Sequence, residues 1–100
     1  MILEIAEITM KSGLEAEFEK GVAKAVPVFA AAKGCHGLDL QRSHENPSRY
    51  LLFVRWETVD NHMVDFRNSP AFADWRACVA HFFEVPPKVE HVRTVLHGFG

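Results

Sequence analysis

Residues 33–57 read KGCHGLDLQRSHENPSRYLLFVRWE. The run from Tyr50 to Trp56 has period-two alternation, with Tyr50, Leu52, Val54 and Trp56 on one side and Leu51 and Phe53 on the other. Both sides are apolar, and a strand of that kind cannot lie at a solvated rim. Glu45-Asn46-Pro47-Ser48 is a turn by composition. The segment before it, Leu38–His44, places Leu38 and Leu40 on one side with polar residues between. A hairpin of second and third strands follows, with Arg49–Glu57 as its inner member.

The flanking sequence supplies the other elements. Ile2–Met10 alternates as a strand, with Ile2, Glu4, Ala6, Ile8 and Met10 sharing a face. Ser12 and Glu15 have capping-box spacing, so a helix is expected from there. Its apolar stripe is Leu14, Phe18, Val22, Ala25, Phe29 and Ala32, with Pro27 loosening it and Gly34 stopping it. After Trp56, Thr58 or Asp60 can cap a short helix reaching about Arg67. Ser69-Pro70 then opens another, whose stripe is Phe72, Trp75, Val79 and Phe82. Pro86-Pro87 breaks it, and Val89–Leu96 reads as the last strand.

The order β-α-β-β-α-α-β, with one stripe per helical layer, predicts an α+β ferredoxin-like fold. Its four-stranded antiparallel sheet has helices on one face only. The other face has no helix to cover it, yet the third strand is apolar on both sides, with Leu51 and Phe53 on one and Tyr50, Leu52, Val54 and Trp56 on the other. Leaving such side chains in water forgoes roughly 1.5–3 kcal/mol each. A second copy of the sheet is the simplest cover, and a homodimer is expected.

One hundred residues make a single domain, residues 1–100. The net charge of −2, with no Lys/Arg-rich block, argues against nucleic acid as a partner. No run of 18 apolar residues is present and the N-terminus does not resemble a signal peptide, so no membrane role and a cytoplasmic location are expected. Cys35 and Cys78 have no metal-type spacing and are too few for a disulfide framework, which fits reduced thiols.

Four pieces, in order, carry a family resemblance: the Ser12-Gly13 turn, Lys33-Gly34-Cys35, and Leu40-Gln41-Arg42-Ser43 through Asn46-Pro47. The fourth is Arg55-Trp56-Glu57 followed by Ser69-Pro70-Ala71-Phe72. With these the chain resembles the antibiotic biosynthesis monooxygenase (ABM) domain family, a branch of the dimeric α+β barrels. The resemblance implies a dimer with a pocket in each subunit between sheet and helices. It further implies oxidation of a small aromatic quinol, anthrone or phenol by O2, without metal, flavin or haem. An electron-rich phenolate can itself reduce O2, so the protein need only hold it dry, favour its ionised form and bind its oxygens. The positions used by the haem-degrading branch hold Ala6, Phe66 and Arg76 here, so haem degradation is not expected. The same resemblance suits a non-catalytic small-ligand-binding or stress-related barrel protein.

Glu4 lies on an otherwise apolar strand face, where a carboxylate has a raised pKa and can act as base; a late strand start would leave it in water instead. His62 is on the short helix bordering the family pocket, and is the best-placed general base or phenol partner. Phe66 and Trp75 are expected as pocket walls, and Trp56 as a further stacking partner for a flat ligand. Arg76 borders the pocket as well. His44, sharing a strand face with Arg42, can orient substrate oxygens or contact a second subunit. His91 reads as a surface or interface residue.

Overall fold

The computed structural model describes the whole chain, Met1–Gly100. Four strands, β1 (Ile2–Thr9), β2 (Cys35–Arg42), β3 (Arg49–Trp56) and β4 (Lys88–Val92), form one antiparallel sheet in the order β2-β3-β1-β4. Helices α1 (Glu15–Ala30) and α2 (Pro70–Val79) lie on one face. This is the ferredoxin-like arrangement expected from the element order. No helix is long and apolar enough to cross a membrane.

The two central strands explain the layering. Facing pairs Ala6–Leu52, Ile8–Tyr50 and Glu4–Val54 share the helix side of the sheet, and all six residues are buried. Phe18, Val22, Ala25 and Phe29 of α1 and Trp75 and Val79 of α2 close over them. Leu3, Ile5, Leu51 and Phe53 point the other way and are half-buried, since no element of this chain covers them.

Several boundaries differ from the sequence reading, each for a local reason. Ser12 makes no cap to α1. Gly13, at φ +89°, turns the chain after it, and the carboxylate of Glu15 accepts the Gly13 N–H at 3.0 Å and the Ser48 hydroxyl at 2.8 Å. The helix runs through Pro27 and ends at Ala30, before Gly34. β2 begins at Cys35 because a bulge between Cys35 and Gly37 lets the Cys-His-Gly segment join the ladder. It closes at Arg42, which leaves His44 outside it. β4 stops at Val92, four residues short of Leu96, because Val92 already faces Leu3 near the start of β1. Beyond it Val95, Leu96 and Phe99 are exposed.

Between β3 and α2 lies a six-residue π turn, Asn61–Phe66, in place of an ordinary short helix. Thr58 and Asn61 anchor it reciprocally. The Thr58 Oγ1 accepts the Asn61 N–H at 3.1 Å, and the Asn61 Oδ1 accepts the Thr58 N–H at 3.1 Å. Gly34, at φ +76°, passes so close that a Cβ there would overlap the Asn61 amide. The i→i+5 bond from the Arg67 N–H to the His62 carbonyl, 3.1 Å, then widens the turn.

Candidate active site

Strand register brings the first two site residues together. Glu4 of β1 is paired directly with His91 of β4, so both side chains emerge on the helix side of the sheet. Trp56 lies diagonally across on β3, and its indole Nε1 donates to Glu4 Oε1 at 2.9 Å. The π turn lays His62 over that indole, with ring centroids 5.2 Å apart and planes 15° from parallel. His62 Nε2 comes within 3.3 Å of Glu4 Oε1, and its Nδ1 within 2.8 Å of His91 Nε2. The result is an unbroken polar chain, Glu4–His62–His91, leading from the core to an edge strand.

Burial sets its charge state. Glu4 is 5% exposed and His62 3% exposed. Loss of water pushes the Glu4 carboxyl from an ordinary 4.5 up to about 7, against the opposing pull of the Trp56 hydrogen bond and the Arg67 charge. The same loss pushes His62 from 6.5 down to about 4, helped by His91 and Arg67. His91 is also lowered, first by burial and then by Arg67. Between those values the Glu4–His62 contact joins a neutral acid to a neutral imidazole and is not an ion pair.

Two bonding patterns fit the same heavy atoms. With Glu4 ionised, His62 donates from Nε2 to the carboxylate and accepts at Nδ1 from His91. With Glu4 protonated, the acid donates to His62 Nε2, and His62 donates from Nδ1 to His91 Nε2. Passing one proton along the chain converts one pattern into the other. Glu4 can therefore take a proton inside the molecule and return it through His62 and His91.

The chain opens onto a cavity of about 380 Å³ between sheet and helices. Glu4, Ala6, Ile8 and Leu52 form its floor and His62 one end. Phe29, Phe66 and Trp75 make an aromatic wall. The Phe29 ring stacks on Phe66 at 5.0 Å and meets Trp75 edge-on at 4.9 Å. Phe83, Pro86, Pro87 and Val89 complete it from the connection into β4, and Arg67 and Arg76 contribute the cationic lining. A flat aromatic molecule suits such walls, with its polar edge toward Glu4 and His62. No group of three His, Cys, Asp or Glu side chains is arranged to hold a metal ion.

Of the residues singled out from the sequence, Glu4, His62, Phe66, Trp75 and Arg76 line this one cavity. Glu4 is at neither a wet nor a frayed strand end. Trp56 does not line it; the indole is fully buried, stacked on His62 and bonded to Glu4, so it supports the site from behind. His44 is exposed in the turn after β2 and is not part of the cavity. Two contributors were missed. His91 reads as a surface residue until strand register sets it opposite Glu4. Arg67 falls off the inward face at 3.6 residues per turn, but roughly 4.4 residues per turn in a π geometry swings it toward the side of His62 and Phe66.

The family model for antibiotic biosynthesis monooxygenases matches residues 1–77, which hold every cavity residue named above except those after α2. The chain belongs to the antibiotic biosynthesis monooxygenase family. An uncharacterised Bacillus subtilis protein, YczJ, is 37% identical over 95 residues, covering 95% of this chain and all of that one. The crystal structure of an ABM-type protein from Bordetella bronchiseptica is 57% identical, with a TM-score of 0.94 over 95% of this chain and 97% of that one. SnoaB, a cofactor-independent oxygenase from Streptomyces nogalater solved as a point mutant, shares the fold at a TM-score of 0.80. It is 18% identical over 96% of this chain and 94% of its own. In this ABM protein Ala6, Phe66 and Arg76 all line the cavity.

Proposed function

We propose that this protein is a cofactor-independent monooxygenase that oxidises a small aromatic quinol, anthrone or related phenol with O2. The observation that carries the reading is a buried carboxyl, Glu4, on the floor of an aromatic-walled cavity, joined through His62 and His91 to the edge of the sheet. Ionised Glu4 removes the phenolic proton, or the proton of a carbon activated by the phenol. The resulting anion gives an electron to O2, and the radical pair joins to a carbon-bound peroxide. Loss of water from that peroxide leaves a new carbonyl. One oxygen atom stays in the product, the other departs as water with the two hydrogens lost by the substrate, and the O–O bond accepts the electrons. Glu4 returns the proton it took to the peroxide, so that it leaves in the water, and the His62–His91 chain restores the ionised carboxylate whenever Glu4 is left protonated between turnovers. Dry aromatic walls favour the spread-out charge of the substrate anion over a localised one and keep water from the peroxide.

Oxygen-electrode traces with an anthrone or a menadiol, in buffer stripped of metals and without flavin, should show uptake well above the protein-free rate. Uptake equal to that background for both substrate classes removes the enzyme reading and leaves a ligand-binding protein.

The open sheet face supports a homodimer, the closed form of the barrel. Leu3, Ile5, Leu51 and Phe53 lie side by side there half-buried, and covering each adds the remaining part of the roughly 1.5–3 kcal/mol that full burial of such a side chain is worth. Light scattering at micromolar concentration should give twice the chain mass, and Phe53→Lys should give the single chain. A wild-type monomer under those conditions would contradict the interface.

A further inference from the structure

We propose that the substrate carries an anionic group, a carboxylate in the simplest case, and that Arg67 and Arg76 hold it at the cavity. The inference deepens the oxygenase reading by naming the substrate class, but its physical basis is separate. Of the six arginines in the chain, Arg42, Arg49 and Arg55 on the sheet each have a carboxylate oxygen within 4 Å, at 3.7, 3.0 and 3.4 Å. Arg67 and Arg76 have none, nor does Arg93 beyond β4. Both Arg67 and Arg76 line the cavity, and Arg93 does not.

The lining thus holds two unpaired guanidinium groups against a single carboxyl, Glu4, which is already engaged by Trp56 and His62. A chain of net charge −2 has no general excess of positive charge, so the cationic lining is local to this cavity. Its geometry is also prepared. The Arg67 guanidinium sits 5.5 Å from the centre of the Phe72 ring, which braces the side chain while leaving its N–H edge free. That edge is suited to a planar carboxylate, which guanidinium groups bind through paired N–H···O bonds. Both arginines are exposed, which lets an anion reach them from solvent. A neutral aromatic would fill the same walls and leave both cations unused.

The test is binding without turnover. 2-Naphthoate and 2-naphthamide have nearly the same shape and differ in charge, and neither is a quinol. Quenching of Trp75 fluorescence should show the naphthoate binding about tenfold tighter than the amide at low salt, the scale of a charge-assisted hydrogen bond. The preference should shrink as salt rises. In the double variant Arg67→Gln/Arg76→Gln the naphthoate-to-amide ratio should fall to about one, whatever the affinity of that variant for the amide itself. Equal binding of the two probes by the wild type overturns the proposal. So does no binding of the naphthoate, or a preference that survives in the double variant. Selective naphthoate binding by a protein that shows no oxygen uptake would retain this inference and discard the oxygenase. Uptake on neutral quinols with no charge preference would do the reverse.

Discussion

Glu4→Gln is expected to lower kcat/KM for the oxygen-dependent reaction by about 10²–10⁴-fold, the usual contribution of a positioned general base. Gln keeps the size of the side chain and an oxygen that accepts the Trp56 N–H, so packing and the indole hydrogen bond survive while the base is removed. In the wild type, activity should rise with pH through about 7, where Glu4 ionises. The variant should lack that rise. A variant turning over at the wild-type rate would take Glu4 out of the mechanism, though not out of the cavity.

The same substitution has a signed effect on stability. Folded Glu4 ionises near 7, above its ordinary 4.5, so the folded state keeps a proton that the unfolded chain has released. Its contribution to stability is complete below pH 4.5 and is lost as pH rises to about 7. His62 has the opposite sign: its folded value near 4 lies below 6.5, so its contribution is complete above pH 6.5 and is lost as pH falls to about 4. The two slopes offset one another between pH 4.5 and 6.5, and the site alone leaves wild-type stability nearly flat there. Glu4→Gln exposes the His62 slope. Urea unfolding should show the variant gaining stability from pH 4 to 6.5 and exceeding the wild type at pH 8 by on the order of 3 kcal/mol. Parallel pH curves for the two proteins would contradict the buried, neutral Glu4.

The sheet and its layering were legible because alternation in Ile2–Thr9 and Arg49–Trp56 is a local property of each strand. The sequence also marked Glu4 as a carboxylate on an apolar face. It could not show what that carboxylate touches. The Glu4–His91 pairing depends on the register between strands more than eighty residues apart, which neither strand encodes by itself. Val89–Leu96 looked like a full strand because its composition suits one; its real length is set by where β1 begins. The π turn was hidden for a different reason. A helical wheel drawn at 3.6 residues per turn puts His62 and Phe66 together but turns Arg67 away. The start of the turn is fixed at Asn61 by Thr58 and by the close pass of Gly34, contacts from outside the turn. His44 and Trp56 lie outside the cavity lining for complementary reasons. β2 ends before it can carry His44 inward, and His62 takes the indole face that a ligand would need.

Trp56→Ala is expected to cost about 3–5 kcal/mol of folding stability, the range for a fully buried large aromatic. Trp56 is 0% exposed, closes the end of β3 against Ile2 and Cys35, and packs its ring on His62 and Phe66. Its loss leaves a cavity under the π turn and frees His62 from the surface that orients it. Glu4 would also lose the indole N–H donor while still shielded from water. Trp56→Phe separates these effects. Most of the ring packing remains, the N–H does not, and the cost should fall to about 1–3 kcal/mol for an unmet buried acceptor. Because the indole hydrogen bond is the main influence holding the Glu4 value down against burial, the Phe variant should ionise above the wild-type value of about 7. Its pH–rate profile should therefore move alkaline, with activity recovering toward the wild-type plateau at high pH. Urea unfolding at pH 6 reads the first effect and the pH–rate profile the second. A Phe variant with an unshifted profile would show that the indole serves the site by packing alone, with the Glu4 proton governed by burial and by Arg67.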